Sequence, residues 1–183
     1  MKLEEFLGRE GRAVEVGKGG HVFAQGDADR SLYYVKSGLL KAYYISEQGK
    51  EFIKTFSLPG DLIGSMTSAV SEGGCSFSLV CLEPTSLVRV PFEALQAASE
   101  KDLEFANGMI ELLIRFSMKK ERREYEFLCL SAEERFGCLL QSTPALLTKV
   151  TQNDLARYLG ITPVGLSRIK KRVLGKGGRG SSG

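Results

Sequence analysis

The stretch TQNDLARYLGITPVGLSRIKKR, residues 151–172, decides the fold of the C-terminal part of this chain. Its apolar spacing predicts two short helices joined by a tight turn. Thr151 can cap the first helix, and Gly160 stands just past its end, where a positive φ is required. Thr162 can cap the second helix, and Pro163 occupies its first turn, where proline is tolerated. The stretch therefore predicts a helix-turn-helix.

The same spacing separates an inner face from an outer face. Apolar side chains recur three or four residues apart and point inward: Leu155, Ala156, Leu159, Leu166 and Ile169. The outer face of the second helix is left with small, polar and basic residues: Val164, Gly165, Ser167, Arg168 and Lys171. Since this face of a helix-turn-helix enters the major groove, duplex DNA is the predicted partner.

Charge is unevenly distributed along the chain. The net charge is only +3, but residues 149–183 carry +7 and residues 1–148 carry −4. A cationic segment on a mildly acidic body favours contact with phosphates at one end and predicts salt-sensitive binding. Four residues of the motif are candidates for contacts with the DNA backbone: Thr151, Gln152, Arg157 and Thr162.

Composition limits the other function classes. The 183 residues are 43% hydrophobic, which is enough for one large domain or two small ones. No apolar run reaches membrane-spanning length, and the first residues lack the profile of a signal peptide. We therefore expect a cytoplasmic protein that does not contact a membrane.

The cysteines and the single histidine give no metal-site pattern. The four cysteines, Cys75, Cys81, Cys129 and Cys138, contain no C-x-x-C pair. Zinc and iron–sulfur sites need several such ligands together, so we expect buried thiols, no metal and no cofactor, with redox sensing as the alternative. The glycines at 17–20 lead into a strand rather than a helix, unlike a phosphate-binding loop, and no nucleophile motif occurs. We do not expect an enzyme.

The first half of the chain predicts short strands separated by glycine-bearing turns. The expected strands are Arg12–Val16, His21–Gln25, Ser31–Lys36, Leu39–Ser46, Glu51–Ser57, Ser76–Leu82 and Thr85–Val90. Regularly spaced short strands are typical of a small barrel or roll. We assign residues 1–98 to this roll.

The second half changes to helical spacing. A long helix is expected over residues 99–128, followed by a shorter one over Ser131–Gln141. The long helix has an apolar seam close to a heptad repeat: Leu103, Ala106, Ile110, Leu113 and Phe116. Such a helix can meet a second copy, so the seam predicts a homodimer, while the charged residues 119–126 are expected to be solvated. Residues 129–175 then form the helix-turn-helix domain, and residues 176–183 a disordered tail.

Four strings, in this order along the chain, carry a family resemblance: VFAQGD (22–27), LYYVKSG (32–38), GDLIG (60–64) and DLARYLGITP (154–163). With them, the chain resembles the cyclic-AMP receptor protein/FNR family of bacterial transcription regulators over nearly its whole length. The resemblance implies an α+β fold with an N-terminal cyclic-nucleotide-binding-like β jelly roll, a long dimerisation helix and a C-terminal helix-turn-helix. It also implies a homodimer on double-stranded DNA, with RNA polymerase as a further candidate partner.

The chain departs from the family pattern in its roll. Nucleotide-binding members carry a glutamate after the Gly-Asp-x-x-Gly string and later an arginine for the cyclic phosphate. Here Ser65 replaces the glutamate, and residues 73–78 contain no arginine. A phosphate then loses its strongest charge-assisted contact, so an effector, if the roll binds one, is expected to be another small molecule. The pocket implied by the resemblance is formed by Gly60, Asp61, Ile63, Gly64, Ser65, Cys75 and Ser76.

The chain also departs from the pattern at its C-terminus. Family members usually follow the recognition helix with a β-hairpin wing. After Leu174 this sequence offers only a glycine-rich tail. The wing is therefore expected to be absent or vestigial.

The resemblance assigns base reading to Arg168. A bidentate contact from such an arginine to guanine contributes about 1–3 kcal/mol of discrimination. Val164 stands where many members carry a glutamate and leaves only apolar contact. Two copies held one helical turn apart would read a roughly palindromic operator. Two alternatives remain open: a regulator that responds to a cyclic nucleotide, and a roll that acts as a binding or scaffold module while the helix-turn-helix engages protein.

Overall fold

The computed structural model describes residues 1–71 and 73–176. They divide into two compact units, one that ends at Arg115 and one that begins at Phe116. The boundaries expected at residues 98 and 128 differ from this division, because one helix, Leu103–Cys129, contributes residues to both units. The predicted α+β class is confirmed, with the strands in the first unit and the helix-turn-helix in the second.

The first unit is built mainly from strands. They are β1 (Arg12–Val16), β2 (His21–Phe23), β3 (Ser31–Ser37), β4 (Leu40–Ile45), β5 (Glu51–Ser57), β6 (Leu62–Ile63), β7 (Ser78–Cys81) and β8 (Thr85–Pro91). They pair antiparallel in two four-stranded sheets, with orders β1-β8-β3-β6 and β2-β7-β4-β5. The predicted roll is therefore present, and β1 and β5 have the predicted bounds.

One apolar core is shared by the two sheets. Its buried members come from β2, β4 and β7 of one sheet, from β3 and β8 of the other, and from the segment before β7: Phe23, Tyr33, Val35, Leu40, Ala42, Cys75, Phe77, Leu79, Cys81 and Leu87. Alternate residues of a strand point to the same face, which is why Tyr33 and Val35 both reach this core. The two roll cysteines are thus core residues, as expected for buried thiols. The same expectation was wrong for Cys129, which is exposed, and Cys138 is only half-buried.

Three short elements of the first unit were not predicted from the sequence. They are β6 and the helices α1 (Leu3–Glu10) and α2 (Met66–Val70). Elements of two to eight residues are too short to show a clear period, and tertiary contacts decide them. Phe6 of α1, for example, is buried with its ring centroid 4.7 Å from that of Phe105.

The long helix begins later than predicted. Helix α3 spans Phe92–Lys101 and helix α4 spans Leu103–Cys129, so the helical conformation is interrupted at Asp102. Asp102 has extended backbone angles, and its carboxylate accepts a hydrogen bond from the Phe105 N–H at 3.0 Å. An aspartate in this position caps a new helix rather than continuing the old one.

The second unit is helical throughout its described part. After α4 come α5 (Ala132–Ser142), α6 (Leu146–Lys149), α7 (Gln152–Leu159) and α8 (Pro163–Lys176). Helix α5 begins at a complete capping box between Ser131 and Glu134, and α6 was not predicted. Lys176, expected in a disordered tail, is the last residue of α8. The rest of that tail and the question of a wing lie outside the described residues.

Among residues 1–71 and 73–176, no helix combines the length and the apolar character that crossing a bilayer would require.

Candidate nucleic-acid interface

The first helix of the motif, α7, starts from the predicted cap. The Thr151 hydroxyl accepts a hydrogen bond from the Asp154 N–H at 3.1 Å. This satisfies one of the amides that the start of a helix leaves without a partner. Thr151 and Gln152 are exposed, while Leu155 is fully buried. Two of the four predicted backbone-contacting residues, Thr151 and Gln152, therefore stand at the N-terminal end of α7, whereas Arg157 lies in its last turn and Thr162 caps α8.

The turn between the helices depends on Gly160. Its backbone is left-handed, with φ +70°, and this conformation strains any residue with a Cβ. The Gly160 N–H donates to the Arg157 carbonyl at 3.1 Å, and the Ile161 N–H donates to the Ala156 carbonyl at 3.0 Å. The predicted role of Gly160 as the residue just past α7 is confirmed.

The second helix, α8, is fixed by a cap at its start and by buried leucine and isoleucine further along. The Thr162 hydroxyl accepts the Gly165 N–H at 3.1 Å, which confirms the predicted cap. Leu166 and Ile169 are buried, and α8 packs on α7 and α5. Because its inner face is committed to this packing, α8 presents a defined outer face.

The predicted outer face is open to solvent at four of its five positions. Val164 is 62% exposed, and Ser167, Arg168 and Lys171 are exposed as well. Gly165 is half-buried because it lies against the cap: a Cβ there would stand 3.3 Å from the Thr162 hydroxyl. Because Gly165 has no side chain, nothing projects from the helix at this position beside the residues predicted to read bases.

The cations of α8 are not equivalent. Arg172 is engaged within the protein, since its guanidinium lies 2.8 Å from a Glu133 carboxylate oxygen of α5. Arg168 and Lys171 form no ion pair with any residue that the structure describes. Arg157 is exposed on α7. On the outer face of α8, the charge that is available for phosphates is therefore carried by Arg168 and Lys171.

Sequence reasoning missed a cluster that we call the arginine clamp: Arg123 and Phe127 of α4, Arg135 of α5 and Tyr158 of α7. The Arg123 guanidinium lies 3.9 Å from the Tyr158 ring centroid and 4.7 Å from that of Phe127. Arg135 lies 5.0 Å from the Phe127 centroid. Residues 119–126 were expected to be solvated, and for Arg123 this was wrong, because its side chain is sandwiched between two aromatic rings. An arginine four residues before an aromatic, the i,i+4 spacing, was the available signal.

The clamp also completes the hydrogen bonding at the end of α7. Arg123 Nη2 donates to the Tyr158 carbonyl at 3.1 Å, and Arg135 Nε donates to the Leu159 carbonyl at 3.2 Å. With the two bonds of the Gly160 turn, each of the last four carbonyls of α7 has a partner. Burial lowers the pKa of Arg123 from its ordinary value, yet a guanidinium remains a cation at neutral pH.

In the roll, several residues of the predicted effector pocket are already engaged within the protein. The Ser65 hydroxyl accepts the Ser76 N–H at 3.0 Å and the Ser68 N–H at 3.4 Å, so it caps α2. The Cys75 N–H donates to the Asp27 carbonyl at 2.8 Å. A Cβ on Gly64 would stand 2.6 Å from the Ser31 carbonyl oxygen. The contacts in this part of the roll are therefore structural, and they involve Gly64, Ser65, Cys75 and Ser76.

Of the other predicted pocket residues, Gly60 and Asp61 lie at the turn before β6, and Ile63 lies in β6 itself. Gly60 adopts φ +93°, and the Asp61 carboxylate accepts the Leu58 N–H at 3.0 Å. Ile63 pairs with Tyr33 of β3 and packs against the shared core. These residues shape the turn, and none directs an unpaired charge toward a ligand.

The predicted dimer seam lies partly on an exposed apolar stripe of α4. Leu103, Ile110 and Leu113 are 50–77% exposed, and Ala106 and Phe116 are half-buried. Successive residues turn by about 100° around a helix, so Phe116 faces away from Ile110 while Ile114 faces with it. Ile114 and Met118 are also exposed and extend the stripe. Ile114 was missed because the apolar spacing was continued by three residues from Leu113, which leads to Phe116.

A family model described as the cyclic nucleotide-binding domain matches residues 13–102. The fumarate and nitrate reduction regulatory protein of Escherichia coli is 30% identical over 172 residues, covering 88% of this chain and 68% of that one. This chain belongs to the cyclic-AMP receptor protein/FNR family of bacterial transcription regulators. It is therefore a family member with both of the parts expected from its sequence, a nucleotide-binding-type roll and a helix-turn-helix.

Solved structures agree with this placement of the family member. FixK2 of Bradyrhizobium japonicum superposes with a TM-score of 0.80 at 20% identity, covering 94% of this chain and 89% of that one. The catabolite activator protein of Thermus thermophilus is 25% identical with a TM-score of 0.58, covering 96% and 83%. The first comparison supports the fold, and the second supports both fold and family.

Proposed function

We propose that this chain is a homodimeric, sequence-specific DNA-binding transcription regulator that reads its operator with the outer face of α8. One observation carries the proposal. Arg168 and Lys171 are exposed and have no ion-pair partner among the described residues, and they stand on a helix whose inner face is buried and whose start is capped. Exposed guanidinium and ammonium groups on a rigid rod are suited to guanine edges and phosphates in a major groove.

Each residue of the outer face has a proposed role. Arg168 reads guanine, Val164 offers an apolar contact to a thymine methyl, and Gly165 allows close approach. Ser167 and Lys171 flank the reading position. Four residues hold the DNA backbone and set the register: Thr151, Gln152, Arg157 and Thr162. Contact with RNA polymerase and a cytoplasmic location complete the proposal.

The exposed stripe of α4 supports the homodimer. Large apolar side chains of a folded protein are rarely left in a line in water, and a second copy of the same helix would cover them. Pairing of two copies brings two recognition helices to one side of the duplex, about 34 Å apart, which predicts a palindromic operator.

If the roll binds an effector, we propose that it is not a cyclic nucleotide. The Ser65 hydroxyl is already engaged by Ser76 and Ser68, and no arginine occurs in residues 73–78. Addition of cyclic AMP or cyclic GMP should therefore leave both the unfolding temperature and the operator affinity unchanged. A rise in unfolding temperature with either nucleotide would favour the alternative of a cyclic-nucleotide-responsive regulator.

Selection of bound fragments from a random DNA pool at physiological salt tests the function. We expect a palindromic consensus bound by a dimer. Lys171→Ala should reduce the dependence of log K on log salt by about 0.9 for each phosphate that is no longer neutralised, and thus by about 1.8 for a dimer. Arg172→Ala, at a cation already paired with Glu133, is the matched control and should change the slope less. Failure to select any sequence would favour the alternative in which the helix-turn-helix binds protein.

A further inference from the structure

The arginine clamp holds the part of the motif that determines where the recognition helix points. Its four side chains, Arg123, Phe127, Arg135 and Tyr158, meet at the last turn of α7. The same turn leads through Gly160 into α8. A Cβ on Gly160 would stand 3.0 Å from Phe127 Cε1, so the ring of Phe127 lies directly against this corner.

The clamp joins three helices through charged hydrogen bonds. Arg135 of α5 donates to the Leu130 carbonyl at 2.6 Å, beside the end of α4, and to the Leu159 carbonyl at the end of α7. Arg123 of α4 donates to the Tyr158 carbonyl. Helix C-termini attract cations, and hydrogen bonds from a charged donor are about twice as strong as neutral ones. The three helices are therefore bonded at a single point.

Arg123 connects the end of α7 to α4, the helix that carries the exposed apolar stripe. It projects from the second half of α4, where Met118, Tyr125 and Leu128 are exposed. It is largely buried by its contacts with Tyr158 and Phe127, whereas the neighbouring Arg122 is exposed and pairs along the helix with Glu126 at 3.0 Å. A planar guanidinium that stacks and donates at once fixes orientation in a way that an ammonium cannot.

We propose that Arg123 is a positioning residue that fixes the angle between α4 and the recognition helix, and so sets the half-site spacing that the dimer accepts. The inference rests on the proposed function, because spacing has meaning only for a dimer on a two-part operator. Removal of the stacked guanidinium lets α7 and α8 turn against α4 while each helix keeps its own caps and core. The dimer then accepts several spacings instead of one.

The test uses the full chain and the operator obtained by selection. Affinity is measured for three DNAs: the selected operator, the same half-sites moved apart by one base pair, and a single half-site. Wild type should prefer the selected spacing by at least about tenfold, the order expected if a misplaced half-site strains one cation–π interaction per subunit. Arg123→Lys and Arg123→Ala should reduce this preference to about threefold or less, with unchanged affinity for the single half-site.

The matched control is Arg122→Ala, which removes the same charge one residue away without touching α7. It should keep the full spacing preference. Circular dichroism and sedimentation establish that each variant is folded and dimeric. If Arg123→Ala does not fold, the spacing preferences of Arg123→Lys and Phe127→Leu test the proposal instead. Phe127→Leu removes the aromatic face that both guanidiniums share, and it should also lower the spacing preference.

The outcomes separate the two proposals. A wild type that selects no DNA overturns the proposed function. A wild type that binds its operator but tolerates both spacings equally overturns the positioning role. The role is also overturned if Arg123→Lys keeps the full preference, or if all clamp variants fail to fold or to bind the single half-site, since Arg123 would then act only in stability.

Discussion

Polar groups are arranged in opposite ways around Ser65 in the roll and on the outer face of α8. The Ser65 hydroxyl is buried and engaged by backbone amides, whereas Arg168 and Lys171 are exposed and unengaged within the described residues. A polar group that is satisfied internally stabilises the fold, and breaking its bonds costs stability. A charged group held in solvent on a rigid helix is available to a ligand. The difference indicates that substitutions in the two regions should affect different measurements.

The largest effect is expected when the support of the reading face is removed. Leu166→Ala empties a fully buried position between the helices of the motif and should reduce the free energy of unfolding by about 2–5 kcal/mol. Val164→Ala, on the opposite and exposed side of α8, should change it by less than about 0.5 kcal/mol. Urea unfolding of both variants measures the contrast. Equal reductions would mean that α8 is not packed as described.

The second effect concerns DNA and should leave stability unchanged. Arg168→Ala removes the proposed guanine contact and should weaken operator binding by about 1–3 kcal/mol per half-site, with a small change in binding to unrelated DNA. Fluorescence anisotropy with both DNAs measures the difference. Arg172→Ala is the control, because that guanidinium is paired with Glu133. An Arg168→Ala protein that retains full operator discrimination would remove Arg168 from the reading face.

The third effect concerns the roll, where a substitution should lower stability and leave DNA binding unchanged. Ser65→Ala leaves the amides of Ser68 and Ser76 without their partner and should cost about 0.5–2 kcal/mol of stability, with operator affinity unchanged. Thr67→Ala, at an exposed position of the same helix, serves as the control. Denaturation midpoints together with anisotropy provide both readouts. Weakened DNA binding by folded Ser65→Ala would show that this segment communicates with the motif.

The smallest effect is a dependence on pH that arises in the roll. Burial pushes the pKa of Asp29 upward, but hydrogen bonds from Tyr33 and Ser31 and the nearby Arg89 outweigh it, so the pKa lies below its ordinary value of 3.8. A carboxyl with a lowered folded-state pKa adds stability above its unfolded pKa and loses it as pH falls through the folded value. Unfolding free energy should therefore decline below about pH 4.

Substitution checks the source of that decline. Asp29→Asn should be less stable at neutral pH and should flatten the part of the acid dependence that Asp29 contributes, measured by urea unfolding across the acid range. Glu47→Gln, in the exposed hairpin turn between β4 and β5, is the control and should follow the wild-type curve. An Asp29→Asn protein with an unchanged acid profile would assign the dependence to other carboxyl groups.

Regular, local patterns made much of the molecule predictable. The strands β1 and β5, the caps Thr151 and Thr162 and the turn at Gly160 all followed from residue types at fixed spacing. Elements of a few residues, such as β6 and α6, could not be predicted because they carry less than one clear period. The break at Asp102 was missed for a related reason, since the apolar spacing continues on both sides of it.

The sequence by itself determined the helix-turn-helix, the roll and the uneven charge, because each depends on residues that are close together along the chain. Only the tertiary structure decided which charges remain available. Arg122 and Arg123 are neighbours in the sequence, yet one is exposed and the other is stacked between rings on α4 and α7. The reason is physical, because the environment of a side chain depends on groups that folding brings together from distant positions in the sequence. Here these are residues 123, 127, 135 and 158, and no local sequence pattern predicts their contact.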